Sequence, residues 1–133
     1  MYYKLQNKTV AKMKVLVLND SEHEFNLIKD SQKYTEIFHA HRYLQFLHQI
    51  DIQDWDVIHL RDEFSSSPNP DIWVDGNGTN KLFDGVHAAR ALAEKVKSGK
   101  HPTKKVIIHS NSTLASKMFH ILSDAKIEVV LAQ

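Results

Sequence analysis

Short apolar runs rich in β-branched residues recur along the chain: Met13 to Leu18 (MKVLVL), Trp55 to Leu60 (WDVIHL), Val106 to His109 within KKVIIHS, and Ile127 to Leu131 (IEVVL). Near-continuous hydrophobicity over so few residues predicts strands covered on both faces. Between them, apolar positions recur at helical spacing. Tyr43, Leu44, Phe46, Leu47 and Ile50 follow His41, and Val86, Ala89, Leu92, Ala93 and Val96 form a second set that stops at Gly99. A third helix, Leu114 to Leu122, has Ser112 or Thr113 as its N-cap. A weaker strand, Thr35 to Ala40, and a weaker helix, Glu22 to Lys29 behind Asp20 or Ser21, complete a strict alternation.

Strands alternating with helices over short connections predict a parallel sheet with right-handed crossovers and helices on both faces. The expected fold is a flavodoxin-like (receiver-like) three-layer α/β sandwich with five parallel strands in the order 2-1-3-4-5. The first β-α turn, NDSEHEF, contains no glycine, so the dinucleotide fingerprint of a truncated Rossmann sheet is absent. Residues 1–12 are expected to be a tail or an extra edge strand, and residues 13–133 the domain itself. The segment 65–85 holds two of the three prolines and all but one of the four glycines. Connections in α/β units normally span about 2–6 residues, so this one is expected to be functional or mobile. Within it, DGNG at 75–78 is suited to turn a small hairpin carrying Ile72, Trp73 and Val74, with Trp73 as a loop anchor.

At 133 residues, 42% hydrophobic and 25% charged, the chain can bury its own core, so a bound metal would serve function rather than folding. A formal charge of +1 creates no general attraction to nucleic acid or an anionic membrane, and the basic run Lys95, Lys97, Lys100, Lys104 and Lys105 reads as a solvated face. The lack of cysteine excludes disulfides, thiolate nucleophiles and zinc ribbons. No apolar run approaches the roughly 20 residues a membrane span needs, and MYYKLQNKTVAK lacks a signal core, so a cytoplasmic, membrane-free location is expected. Nine histidines are the one unusual count. No HxxxH or HExxH pair occurs, and His39 and His41 share a strand face without an acidic residue at ligand spacing, so no dedicated histidine metal site is expected.

In open parallel sheets ligands bind beyond the carboxyl ends of the strands. Those positions here are polar: Asn19 and Asp20, then Arg61, Asp62 and Glu63, then His109, Ser110, Asn111, Ser112 and Thr113. If the strands adjoin as expected, the three clusters converge under the long loop. The inventory suits a phosphate or phosphodiester. Ser110, Asn111 and Ser112 lead into a helix whose amides can hold an anion, and Arg61 can grip a phosphate oxygen in fork geometry. His109 is the natural proton donor or acceptor, and Asp20 and Glu63 can orient it or hold Mg²⁺ or another divalent cation. His59, inside its strand, reads as a buried hydrogen-bonded histidine, and His87 and His120 as structural.

These segments resemble the cyclic-phosphate processing receiver-like domain, a relative of two-component receivers. The likeness rests on KVLVLND at 14–20, VIHLRDEF at 57–64, FDGVHAARAL at 83–92 and IIHSNSTLASKM at 107–118. It implies action on the cyclic phosphate of a nucleotide or RNA end, with His109, Asp20 and Glu63 catalytic and Arg61 with Ser110 on the phosphate. The chain departs from the pattern at Asn19, where the family usually has an acid, at Arg61-Asp62-Glu63, where it has acid-His-acid, and at Ala115, where it has glycine; the family asparagine falls at Ser112 unless Asn111 substitutes. The phosphoacceptor of an ordinary receiver falls at Arg61, and the lysine after its last strand has no counterpart in VVLAQ. Two readings therefore follow: a phosphoesterase-type enzyme, or a non-catalytic pseudo-receiver that binds a nucleotide or a protein partner.

Overall fold

The computed structural model describes residues 13–31, 36–64, 71–110 and 112–132. Five strands, β1 (Lys14–Leu18), β2 (Glu36–Ala40), β3 (Val57–Arg61), β6 (Lys105–His109) and β7 (Glu128–Ala132), form one parallel sheet in the order β2-β1-β3-β6-β7. A separate antiparallel hairpin joins β4 (Ile72–Val74) to β5 (Asn80–Leu82). The helices are α1 (Glu22–Ser31), α2 (Tyr43–Ile52), α3 (Gly85–Lys97) and α4 (Leu114–Asp124). Counted within the sheet, this is the expected flavodoxin-like 2-1-3-4-5 topology. The region 1–12 lies outside the described residues.

Successive strand residues point to opposite faces, and the parallel register aligns those faces across the sheet. Leu16, Leu18, Ile58, Leu60, Val106 and Ile108 line one face and share a core with Phe46, Leu92, Met118 and Leu122 of α2, α3 and α4. Each such side chain taken fully out of water contributes about 1.5–3 kcal/mol. The opposite face carries Val15, Val17, His39, His59, Arg61 and His109. Helix α1 covers it with no buried residue of its own, touching the sheet through Phe25 stacked on His39 and Glu24 paired with Arg61.

Local chemistry explains the element ends. Ser21, one of the two expected caps, caps α1, its Oγ accepting from Glu24 N at 3.1 Å. Strand β3 begins at Val57 rather than Trp55, whose buried indole instead donates to the carbonyl of Gln49 at 3.0 Å. Helix α3 begins at Gly85, one residue before its apolar pattern, because Asp84 accepts from the amides of Val86 and His87 while His87 Nδ1 accepts from the Asp84 amide. The DGNG turn forms as expected: Asp75 Oδ1 accepts from Asn77 N and Thr79 N, and Gly78 takes a φ of 78°. Trp73 donates to the Leu82 carbonyl and packs against Phe83 and His87, which ties the hairpin to the start of α3.

Candidate functional site

The start of α3 is pressed onto the end of β3. Gly85 N donates to the Asp62 carbonyl at 2.8 Å, and a Cβ on Gly85 would lie 2.4 Å from the Arg61 carbonyl oxygen and 2.8 Å from Met118 Sδ. This close approach sets how Arg61, Asp62 and Glu63 leave the sheet. Three separate polar groups result.

The first is a pair of histidines on the α1 face. Arg61 lies opposite His109 in the β3-β6 register, and His59 sits two residues back on that face. His59 Nδ1 and His109 Nε2 are 2.8 Å apart, with the rings near-parallel at 23°. Burial, followed by His109 and Lys105 nearby, lowers the His59 pKa to about 4. Burial also lowers that of His109, where Glu24 opposes the shift and Arg61 adds to it. Both rings are therefore neutral near pH 7 and share one hydrogen across the bond. His59 Nε2 is buried with no hydrogen-bond partner among the described residues. A bare lone pair is tolerated there better than an orphaned N–H, which assigns the shared hydrogen to His59 Nδ1 and makes Nε2 of His109 the acceptor. The remaining hydrogen of His109 is then on Nδ1, as a donor.

The second group ties Arg61 to Glu24 of α1, Nη1 to Oε2. Both side chains are more than a third exposed, so the pair is worth little stability, but it holds one of the five guanidinium donors. In the third group, the carboxylate of Asp62 accepts from Ser110 Oγ at 2.8 Å and Ser112 Oγ at 2.6 Å. Burial pushes the Asp62 pKa up, yet the hydroxyls of Ser112 and Ser110 and nearby backbone amides outweigh it and bring it below the ordinary value. Ser112 Oγ also accepts from Leu114 N at 3.2 Å, capping α4 in place of Thr113, which makes no side-chain cap bond.

The expected site residues are thus divided. His109 and Arg61 share the α1 face. Ser110 and Ser112 turn to Asp62, which sequence reasoning passed over, so an anion at that turn would meet a carboxylate. Asn111 lies outside the described residues. Asp20 is half-buried in the β1-α1 turn, and Glu63 is exposed on a cavity of about 190 Å³ also lined by Phe64, Leu82, Phe83 and Asp84. No group of three carboxylate or imidazole donors that includes Asp20 or Glu63 lies within 4.8 Å among the described residues. Three such donors do converge at one place, Glu22, His39 and His41, where the fold supplies the acidic partner that local spacing did not reveal.

No family model matches the chain, and no curated protein matches it in sequence. Solved structures do match in fold. A response regulator from Burkholderia pseudomallei with a phosphorylated aspartic acid, calcium ion and citrate aligns at TM-score 0.61 and 13% identity, covering 92% of this chain and 60% of that one. The receiver domain of the Francisella response regulator 1452 aligns at TM-score 0.55 and 20% identity, covering 90% of this chain and 84% of that domain. The receiver domain of the sensor histidine kinase PA1611 from Pseudomonas aeruginosa, with a magnesium ion in its active-site cleft, aligns at TM-score 0.57 and 13% identity, over 92% and 86% of the two chains. The chain therefore has the receiver-like, flavodoxin-like α/β fold, and spans about 60% of the Burkholderia regulator.

Proposed function

We propose that this chain is a pseudo-receiver: a domain with the receiver fold that works by binding rather than by accepting a phosphoryl group on an aspartate. The observation that carries the reading is the end of β3. Arg61 occupies the last strand position and is ion-paired to Glu24, and the next residue, Asp62, has its carboxylate engaged by two serine hydroxyls. A nucleophilic carboxylate needs exposed lone pairs and a cation to offset the charge of the incoming phosphate. The ligand favoured is the phosphate of a nucleotide or RNA end, with His109 Nδ1–H and the remaining donors of Arg61 as contacts.

Treatment with acetyl phosphate and Mg²⁺ tests the reading. Intact mass without an added phosphoryl group, together with a melting shift on adding 2′,3′-cyclic nucleotides that Arg61→Ala and His109→Ala diminish, is the expected result. Phosphorylation of Asp62 would overturn it.

A second reading, hydrolysis of a cyclic phosphate, is favoured by the His59–His109 pair. Water would form the new P–O bond as the ester P–O bond breaks, with an imidazole of the pair taking the proton of water and returning it to the leaving ribose oxygen. This requires the tautomer in which His109 Nδ1 is bare. Asp20 and Glu63 would be the orienting or cation-holding carboxylates. Turnover of cyclic nucleotides or a cyclic-phosphate RNA end, with and without Mg²⁺ or Mn²⁺, that His109→Ala abolishes without unfolding would establish this reading in place of the first.

A further inference from the structure

Beyond the phosphate question, the β2 edge of the sheet carries an arrangement with a different chemistry. His39 points from β2 onto the α1 face, His41 follows the strand, and Glu22 opens α1. Glu22 Oε1 lies 3.7 Å from His39 Nδ1 and 3.8 Å from His41 Nε2, and all three donor atoms fall within 4.8 Å of one another. Donors around a tetrahedral zinc, with bonds of about 2.0–2.2 Å, stand about 3.4 Å apart, so each imidazole must close on Glu22 by a few tenths of an ångström, and the exposed His41 ring, packed at 3.9 Å on His39, must swing to bring its Nε2 in beside Nδ1 of His39.

The buried member of the set is prepared for a ligand. The His39 side chain is only 6% exposed, and its Nε2 reaches the backbone oxygen of Asn19 at 3.0 Å and its Oδ1 at 2.8 Å. Asn19 Oδ1 also accepts from Ser21 N, which identifies it as the amide oxygen. Nε2 of His39 must therefore carry the hydrogen. Nδ1 is left as a lone pair, buried, with no hydrogen-bond partner among the described residues, and aimed toward Glu22. A ring whose far nitrogen donates to a carbonyl while its near nitrogen is bare is the usual outer-shell arrangement of a metal-bound histidine. Phe25, stacked at 4.2 Å, walls off one side of the ring.

We infer that Glu22, His39 and His41 form a binding site for a Zn²⁺-class divalent transition ion, with a further coordination position left to water or a ligand. Two imidazoles and one carboxylate suit Zn²⁺ and Co²⁺, whereas Mg²⁺ and Ca²⁺ prefer an all-oxygen set.

Titration of the metal-free chain with Co²⁺, followed by its visible ligand-field absorption and by displacement with Zn²⁺, tests the inference. The expected result is one saturable equivalent, a rise in melting temperature with Zn²⁺ but not with Mg²⁺, and a loss of affinity of about tenfold or more in Glu22→Gln and in His41→Ala. Both of those side chains are substantially exposed, so the variants keep the fold, which circular dichroism checks. His120→Ala, at an exposed position of α4, retains wild-type affinity. Equal affinity in wild type, Glu22→Gln and His41→Ala, or the absence of saturable Co²⁺ binding, overturns the site.

Discussion

His59 gives the fold a pH dependence whose size follows from its surroundings. It is 5% exposed, and its pKa falls from 6.5 to about 4. The folded state thus resists a proton that the unfolded chain accepts readily. Above pH 6.5 neither state binds it, and the full stability is present. As pH falls through 6.5 the unfolded chain takes the proton and the fold does not, so stability is lost until about pH 4, where the folded protein also protonates. The linkage relation gives a loss of ~2 kcal/mol by pH 5 and ~3 kcal/mol by pH 4. His39, His101 and His109 are lowered by burial in the same sense, so wild type loses more than this one residue accounts for. The clean measurement is a difference. Urea unfolding of wild type and His59→Gln, at intervals from pH 7 to pH 4, should show the variant losing ~2 kcal/mol less by pH 5. Parallel stability profiles for the two proteins would refute the account of His59 as a buried neutral ring.

Gly85→Ala should lower stability by ~2 kcal/mol or more, because its Cβ would meet the backbone oxygen of Arg61 at 2.4 Å, an atom that cannot swing aside as a flexible side chain would. Thermal melting checks it, and an unchanged midpoint would mean that α3 does not press on β3. Asp84→Ala, which removes the acceptor for the Val86 and His87 amides, should cost ~1 kcal/mol by urea unfolding, with Asp84→Asn recovering most of it.

What the sequence by itself determined was the set of elements and their topology. Runs such as KVLVL and KVIIH are too short and too continuously apolar for helices, and the register VHAARALAEKV leaves one stripe for a core, so local pattern and fold agree. Hairpin chemistry at Asp75–Gly78 was legible for the same reason, since its hydrogen bonds join residues within four positions. The start of the first helix, at Glu22 behind Ser21, was legible too, whereas that of α3 moved by one residue because the Asp84 side chain, rather than an apolar position, sets it.

The site was legible only as an inventory. His109, Arg61, Ser110 and Ser112 were recognisable as polar residues at strand ends, but their partners were not. His59 meets His109 across 50 positions, Glu24 meets Arg61 across 37, and Asp62 gathers two serines from the turn after β6. The parallel register decides which strand residues adjoin, and the alternation of faces then separates the His59–His109 pair from the core lining. Glu22 shows the limit most clearly. In the chain it stands 17 positions before His39, and only the docking of α1 over the β2 edge brings its carboxylate to two imidazoles that local spacing had left without an acid.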